Sequence, residues 1–267
     1  MQEDTTGKLA YCLIPLLMAQ VLLCAASALF AQFGGMPAGG LLLGHILTAG
    51  MCAILMHEDS DMGCRTAFLR GTFREHPGCT EPEGAPADRP SVAVSGHITG
   101  AETLVWIAAA IAVCLISTYL LNISGLMDAD KAYVSADAAL EAAPGIIRSV
   151  LVVIAAPVSE EMLYRGVLYQ RVRGCFGRKV GFLAAVAAFA LAHGNLTQGI
   201  AACASGILLT AARIRCGEGR ENAVSAETGR KQTVSVKTLR DQMTVLWLPV
   251  LAHAAFNACS EYVVLML

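Results

Sequence analysis

The sequence predicts an all-α fold, a polytopic transmembrane helical bundle of about seven or eight membrane helices. Three observations predict it. Of 267 residues, 55% are hydrophobic and only 15% are charged, and the mean hydropathy is +0.58, too apolar for a soluble domain of this length. Several windows approach or exceed the roughly 18–20 apolar residues that cross about 30 Å of hydrocarbon. Lys and Arg alternate between the two ends of those windows in the way that cytoplasmic loop enrichment produces.

Taken in order, the apolar windows place spans at Leu9–Phe33, Gly39–Met56, Glu102–Ser124, Ile146–Tyr169, Val180–Ala192, Ile200–Ala212 and Thr244–Leu265, two of them short. The leading MQEDTTGK is net acidic and the apolar run behind it, about 25 residues, exceeds a signal-peptide h-region. The first span is therefore expected to be a permanent helix. Residues 57–100 contain Pro77, Pro82, Pro86 and Pro90 among mixed charges, and 217–243 is polar and aperiodic; both read as loops that bury no core. Between them, LMDADKAYVSADAALEAAP (Leu126 to Pro144) reads as a short helix at the outer interface. The chain thus divides into N-terminal membrane helices, 1–124, and a core, 125–267.

Charge tests that topology. Sixteen basic residues fall on the side of the N-terminus: Lys8, the arginines of 57–100, Arg171 to Lys179, and seven between Arg213 and Arg240. Lys131 and Arg148 fall on the other side, and Arg165 lies inside a span. The N-terminus is expected to be cytoplasmic. The net charge of −2 leaves no basic excess for nucleic acid. Ten cysteines include no C-x-x-C pair, and Cys12, Cys24, Cys52, Cys114, Cys203 and Cys259 sit in apolar spans, where free Cys behaves as a small buried hydrophobe.

Against this background, PVSEEMLYRG (Pro157 to Gly166) interrupts an apolar span with three charges. Each costs about 2.5–3.5 kcal/mol at a helix centre, roughly 8–10 kcal/mol together if unpaired. Glu161 and Arg165 are spaced i, i+4 with the acid first, the favourable order for an ion pair. Glu160 is turned about 100° away and is free to face a cavity. Pro157 disfavours helix continuation and is expected to mark a helix start at membrane depth. FALAH (Phe189 to His193) closes one apolar span with a histidine, and HAAFN (His253 to Asn257) puts a histidine and an asparagine on one face of another. Intramembrane ionisable groups face the bundle interior by default, so three helices can bring these side chains to one pocket. Inter-helix hydrogen bonding is the bland alternative for each motif alone. His45, His57, His76 and His97 lie near span ends or in loops, with no polar companion in the sequence that completes a site.

EEMLYR, FALAH and HAAFN, in that order, resemble the E-E-x-x-x-R, F-x-x-x-H and H-x-x-x-N motifs of the CAAX protease and bacteriocin-processing family, intramembrane endopeptidases similar to the type II CAAX prenyl endopeptidase. The resemblance covers about Ile146–Ser260. It implies eight membrane helices, an active site inside the bundle, and hydrolysis of a peptide bond in a membrane-associated or prenylated CAAX-type protein or peptide precursor by activated water. Glu160 would then be the general base and His193 would share the water or protonate the leaving amine. His253 and Asn257 would hold the oxyanion, with Glu161 and Arg165 as structural support. No cofactor is favoured; a zinc ion on Glu160, His193 and His253 is the alternative, since three protein ligands suit a catalytic zinc. A non-catalytic immunity or partner-binding membrane protein, and a proton-coupled transporter, are the competing functions. Short loops and Ala-rich spans point to a bacterial cytoplasmic membrane.

Overall fold

A computed structural model of the chain describes residues 5–69, 98–228 and 239–264. Within them the fold is all-helical. The helices are α1 (Thr5–Gln32), α2 (Pro37–Leu69), α3 (Gly100–Ile123), the short α4 (Leu126–Ala129) and α5 (Lys131–Glu141), α6 (residues 145–176), α7 (Arg178–Leu191), α8 (Leu196–Thr228) and α9 (Leu239–Val264). Among the described residues five segments are long and apolar enough to cross a membrane: Thr5–Gln32, Pro37–Asp59, Gly100–Ile123, Leu196–Gly217 and Gln242–Glu261. The other two long elements fall short for physical reasons. Helix α6 carries Arg148, Glu160, Glu161, Arg165, Arg171 and Arg173, and the 14 residues of α7 span only about 21 Å at about 1.5 Å per residue.

Several boundaries differ from the sequence expectation. Helix α2 runs on to Leu69 and α8 to Thr228, so 57–69 and 217–228 are helical rather than loop. Neither stretch contains proline, and a helix already nucleated in the apolar segment propagates into polar sequence at little cost. The prolines of the first expected loop, with His76 and His97, lie outside the described residues. Pro157 does not start a helix. Instead α6 is continuous through it, with π-helical turns at Val150–Ala155 and Met162–Leu168 on either side of the α-helical Ala156–Glu161. Cys12, Cys52 and Cys114 are buried as expected, but Cys24 and Cys203 are exposed at the periphery.

Helices α1 and α2 form a tight hairpin. The buried stripe of α1 is Cys12, Pro15, Ala19 and Ala26, mostly small, while Leu17 and Val21 on its other face are 67% and 65% exposed, as a lipid-facing surface requires. Gly40 and Gly44 of α2 meet that stripe. A Cβ at Gly40 would stand 2.7 Å from the Ser27 Cα, and one at Gly44 2.9 Å from a Leu23 methyl, the small-x-x-x-small approach of membrane helices.

At one end of the bundle Arg171 of α6 ties the hairpin down. Its guanidinium grips Asp59 of α2 in a fork, at 2.8 and 3.0 Å, donates to the Tyr11 carbonyl at 2.8 Å and lies over the Tyr11 ring. At the other end Asp130 accepts from the Thr197 backbone N–H at 2.9 Å and hydroxyl at 3.0 Å, and caps α5 through the Tyr133 N–H. The Thr197 N–H, foremost, holds the Asp130 carboxyl below the usual carboxylate range, so this clamp is charge-assisted.

Gly40→Ala is expected to destabilise the protein by about 1–3 kcal/mol, because the added methyl meets backbone that cannot move aside. Gly50→Ala, on the same helix with nothing within 4 Å of its added Cβ, is expected to be neutral or stabilising by up to about 1 kcal/mol. Thermal unfolding of the two variants in one detergent tests the pair.

Candidate active site

Four elements build one cavity. Helix α6 supplies Arg148, Val152, Ala156 and Glu160; α7 and its exit supply Phe189 and His193; α8 supplies Thr197 to Ser205; α9 supplies His253, Phe256, Asn257 and Glu261. Thr118 and Leu121 of α3, with Tyr133, Asp137 and Leu140 of α5, complete a space of about 270 Å³. Glu160, His193, His253 and Asn257, expected from sequence to meet, all line it. Glu161 and Arg165 do not.

Those two lie one layer beneath the floor, with fully buried side chains, joined at 2.8 Å. Each nitrogen of Arg165 has an acceptor. Its Nη1 donates to Glu161 Oε1, its Nε to the Thr210 hydroxyl at 3.3 Å, and its Nη2 to the Gly206 carbonyl at 3.3 Å. The guanidinium also lies 4.4 Å from the centre of the Phe189 ring, a cation–π contact strengthened by desolvation. Gly206 permits this: a Cβ there would stand 3.2 Å from Phe189 and 3.5 Å from Arg165 Nη2.

Glu161 Oε1 also meets His253 Nδ1 at 2.9 Å. A carboxylate already holding Arg165 only accepts, so the His253 proton sits on Nδ1 and Nε2 is left as the acceptor. That Nε2 points to the cavity, 3.7 Å from Glu160 Oε2. The Glu160 side chain is 23% exposed, against none for Glu161. Adjacent in sequence, the two acids are separated in role by one helical step: one braces the floor, the other faces the space. His193 is oriented the same way. Its Nδ1 donates to the Phe189 carbonyl at 2.9 Å, leaving Nε2 as acceptor, and Gly194 at φ +71° ends α7 just behind it.

Asn257 answers a backbone problem in α6. In the π-helical turn the Ala156 N–H bonds back to the Leu151 carbonyl, five residues earlier. The next bond of that series would run from residue 157 to the Val152 carbonyl, and proline has no N–H to give. Asn257 Nδ2 supplies the missing donor at 2.8 Å. One amide hydrogen and the amide oxygen remain for other partners.

Some of the neighbourhood was not legible in the motifs. Phe189 packs edge-to-face with Tyr164, His193 and His253, at centroid distances of 5.2, 5.0 and 5.5 Å, so one ring sets both histidines. His45 of α2, read from sequence as having no polar companion, has its Nδ1 2.6 Å from the Ser159 hydroxyl. Ser159 Oγ donates to the Ala156 carbonyl at 3.1 Å, which makes His45 the donor of the pair. Ser159 stands next to Glu160, so α2 braces the acid-bearing turn from outside the cavity. The signal was a histidine in an apolar helix, masked because its partner lies 114 residues away. His57 of α2 is exposed and has no place in the cavity wall.

The donors of the zinc alternative do not converge. Among the described residues no three His, Cys, Asp or Glu side chains are grouped so that they could hold a metal ion. Glu160 and His253 approach each other at 3.7 Å.

Asn257→Ala is expected to cost about 1–3 kcal/mol by orphaning the half-buried Val152 carbonyl. Pro157→Ala restores a backbone donor, so the double variant should lose less than the sum of the singles, with a coupling of about 0.5–3 kcal/mol. Additive losses in a thermal-unfolding cycle would refute the compensation.

The three motifs, the ion pair and both histidines fall within one contiguous part of the chain. No curated protein and no solved structure matches the sequence. Over residues 142–259, which hold all three motifs, the chain matches the family described as type II CAAX prenyl endopeptidase Rce1-like, a family of membrane proteases.

Proposed function

We propose that the chain is an intramembrane endopeptidase in which Glu160 activates water. The observation that carries this reading is the division between two neighbouring acids. Glu161 has no exposed surface and is held through Oε1 by both Arg165 and His253, whereas Glu160 faces the cavity with an imidazole nitrogen 3.7 Å away.

Peptide hydrolysis needs a deprotonated water, a stabilised oxyanion and a protonated leaving amine. A water between Glu160 and His253 Nε2 gives its proton to the carboxylate, and its oxygen adds to the scissile carbonyl. The free amide hydrogen of Asn257 donates to the oxygen that becomes negative. On collapse the C–N bond breaks, and the proton held by Glu160 passes to the amine, directly or across His193. His253 is held in the tautomer this step uses by Glu161, itself held by Arg165, the logic of an acid that orients a catalytic imidazole. No metal enters the scheme.

We further propose that α6 and α7 lie within the bilayer with the five apolar helices. Ile146, Ile154, Leu183 and Leu191 are 76%, 58%, 65% and 81% exposed, a surface that suits lipid. This arrangement makes seven membrane helices with the N-terminus in the cytoplasm of a bacterial cell, consistent with the basic residues at one end.

Glu160→Gln is expected to lower turnover by at least about 10²-fold while unfolding at the wild-type temperature. Glu161→Gln is expected to lose about 3–5 kcal/mol of stability, because it strands a buried Arg165. A fluorogenic assay in reconstituted bilayers, run beside thermal unfolding, separates the two acids. Equal turnover by wild type and Glu160→Gln would remove Glu160 from the chemistry. Zinc chelation is expected to leave the rate unchanged, and loss of activity restored by added zinc would overturn the metal-free scheme.

A further inference from the structure

The cavity is confined to one half of the bundle. Its α3 residues, Thr118 and Leu121, come from the C-terminal half of that helix, and its α6 residues stop at Glu160. Its α8 residues stop at Ser205, and its α9 residues start at His253. These are the helix halves that adjoin α4 and α5. No lining residue comes from the halves that carry Arg171, Arg173, Arg178, Lys179, Arg213 and Arg215.

The other direction is filled. Beneath Glu160 lie Glu161, Arg165 and Phe189, each at most 1% exposed, then Val167, Leu168 and Leu246, also at most 1%. Gly166 brings α6 so close to Met56 that an added Cβ would stand 2.9 Å from its sulfur. Below that, Gln242 Nε2 donates to the Met56 carbonyl at 2.9 Å, and Arg171 clamps Asp59 and Tyr11. Among the described residues this half leaves a polypeptide no route to Glu160.

At the open half, α5 lies across the mouth. Its Asp137 is half-buried in the cavity wall, and burial, foremost, pushes its carboxyl up. Arg148, the single basic side chain that lines the cavity, is paired with Glu261 at 2.7 Å. The segment 125–144 holds Asp128, Asp130, Asp137 and Glu141 against Lys131. The mouth therefore opens on the end poor in basic residues.

Basic residues near span ends mark the cytoplasmic side. We propose, resting on the peptidase reading above, that the site is loaded from the extracytoplasmic side, and that its substrate is a polypeptide exposed there, an exported peptide or the outer segment of a membrane protein. A prenylated C-terminus presented in the cytoplasm would meet the closed half.

Two measurements on the full chain test this. Ser135→Cys on exposed α5 and Lys179→Cys at the basic end are produced separately in a bacterial host, and spheroplasts are treated with a membrane-impermeant maleimide. The unsubstituted protein sets the background from native cysteines. Labelling of Ser135→Cys at least tenfold faster than Lys179→Cys, with the difference abolished by permeabilisation, is the expected result. The reverse order would overturn the inference whether or not the chain is a protease. In the second measurement, sealed right-side-out and inside-out vesicles receive an impermeant library of quenched fluorescent peptides, with Glu160→Gln as the blank. Cleavage at least tenfold faster in right-side-out vesicles, equalised by detergent, supports the inference; cleavage confined to inside-out vesicles overturns it. No Glu160-dependent cleavage after detergent would sink the peptidase reading, leaving the labelling order to decide which side the cavity faces.

Discussion

The buried chain Arg165–Glu161–His253 is the constraint around which the rest is arranged. An arginine and a carboxylate with no exposed surface are costly in a membrane bundle and depend on good geometry and on hydrogen-bonding partners from their neighbours. Here Thr210 and Gly206 of α8 bond the guanidinium, Phe189 of α7 covers its face, and His253 of α9 shares the carboxylate oxygen Oε1, while Oε2 has no partner among the described residues. One ion pair within α6 therefore recruits three other helices. The same bonds that satisfy the pair also aim His253 Nε2 at Glu160. Stability and site geometry rest on one set of atoms.

The irregular backbone of α6 belongs to that arrangement. π-helical turns frequently accompany functional sites, and this helix has two, flanking the Glu160–Glu161 step. Widening the helix ahead of Pro157 lets it run on, but moves the loss of a hydrogen bond to the Val152 carbonyl. Asn257 repairs that loss from α9. The third motif thus meets α6 twice, through His253 on Glu161 and Asn257 on the Val152 carbonyl, which fixes α9 against α6 beside the cavity.

The two ends of the bundle serve different purposes. Arg171, Asp59, Tyr11 and Gln242 tie α1, α2, α6 and α9 together at the basic end. The opposite end is held by a lighter device, Asp130 gripping the first turn of α8 at Thr197, which positions α5 beside the cavity without filling it. That asymmetry gives the cavity a direction.

A reader of the sequence alone could find the class of fold, the motifs and the i, i+4 ion pair, because each depends on composition or on spacing along one helix. The separation of Glu160 from Glu161 followed from the helical period. Helix ends were harder to place: polar 57–69 and 217–228 continue as helix, since propagation from an apolar segment needs no apolar pattern of its own. The π-helical passage through Pro157 was beyond reach, because its support comes from an asparagine 105 residues away. His45 beside Ser159, Phe189 between two histidines, and the closing of one end of the bundle were likewise decided only in three dimensions. Sequence by itself determined that charge had to be buried and which residues could pair locally. Tertiary structure decided what surrounds that pair and what Glu160 faces, because desolvating an ion pair demands partners that only other helices can bring.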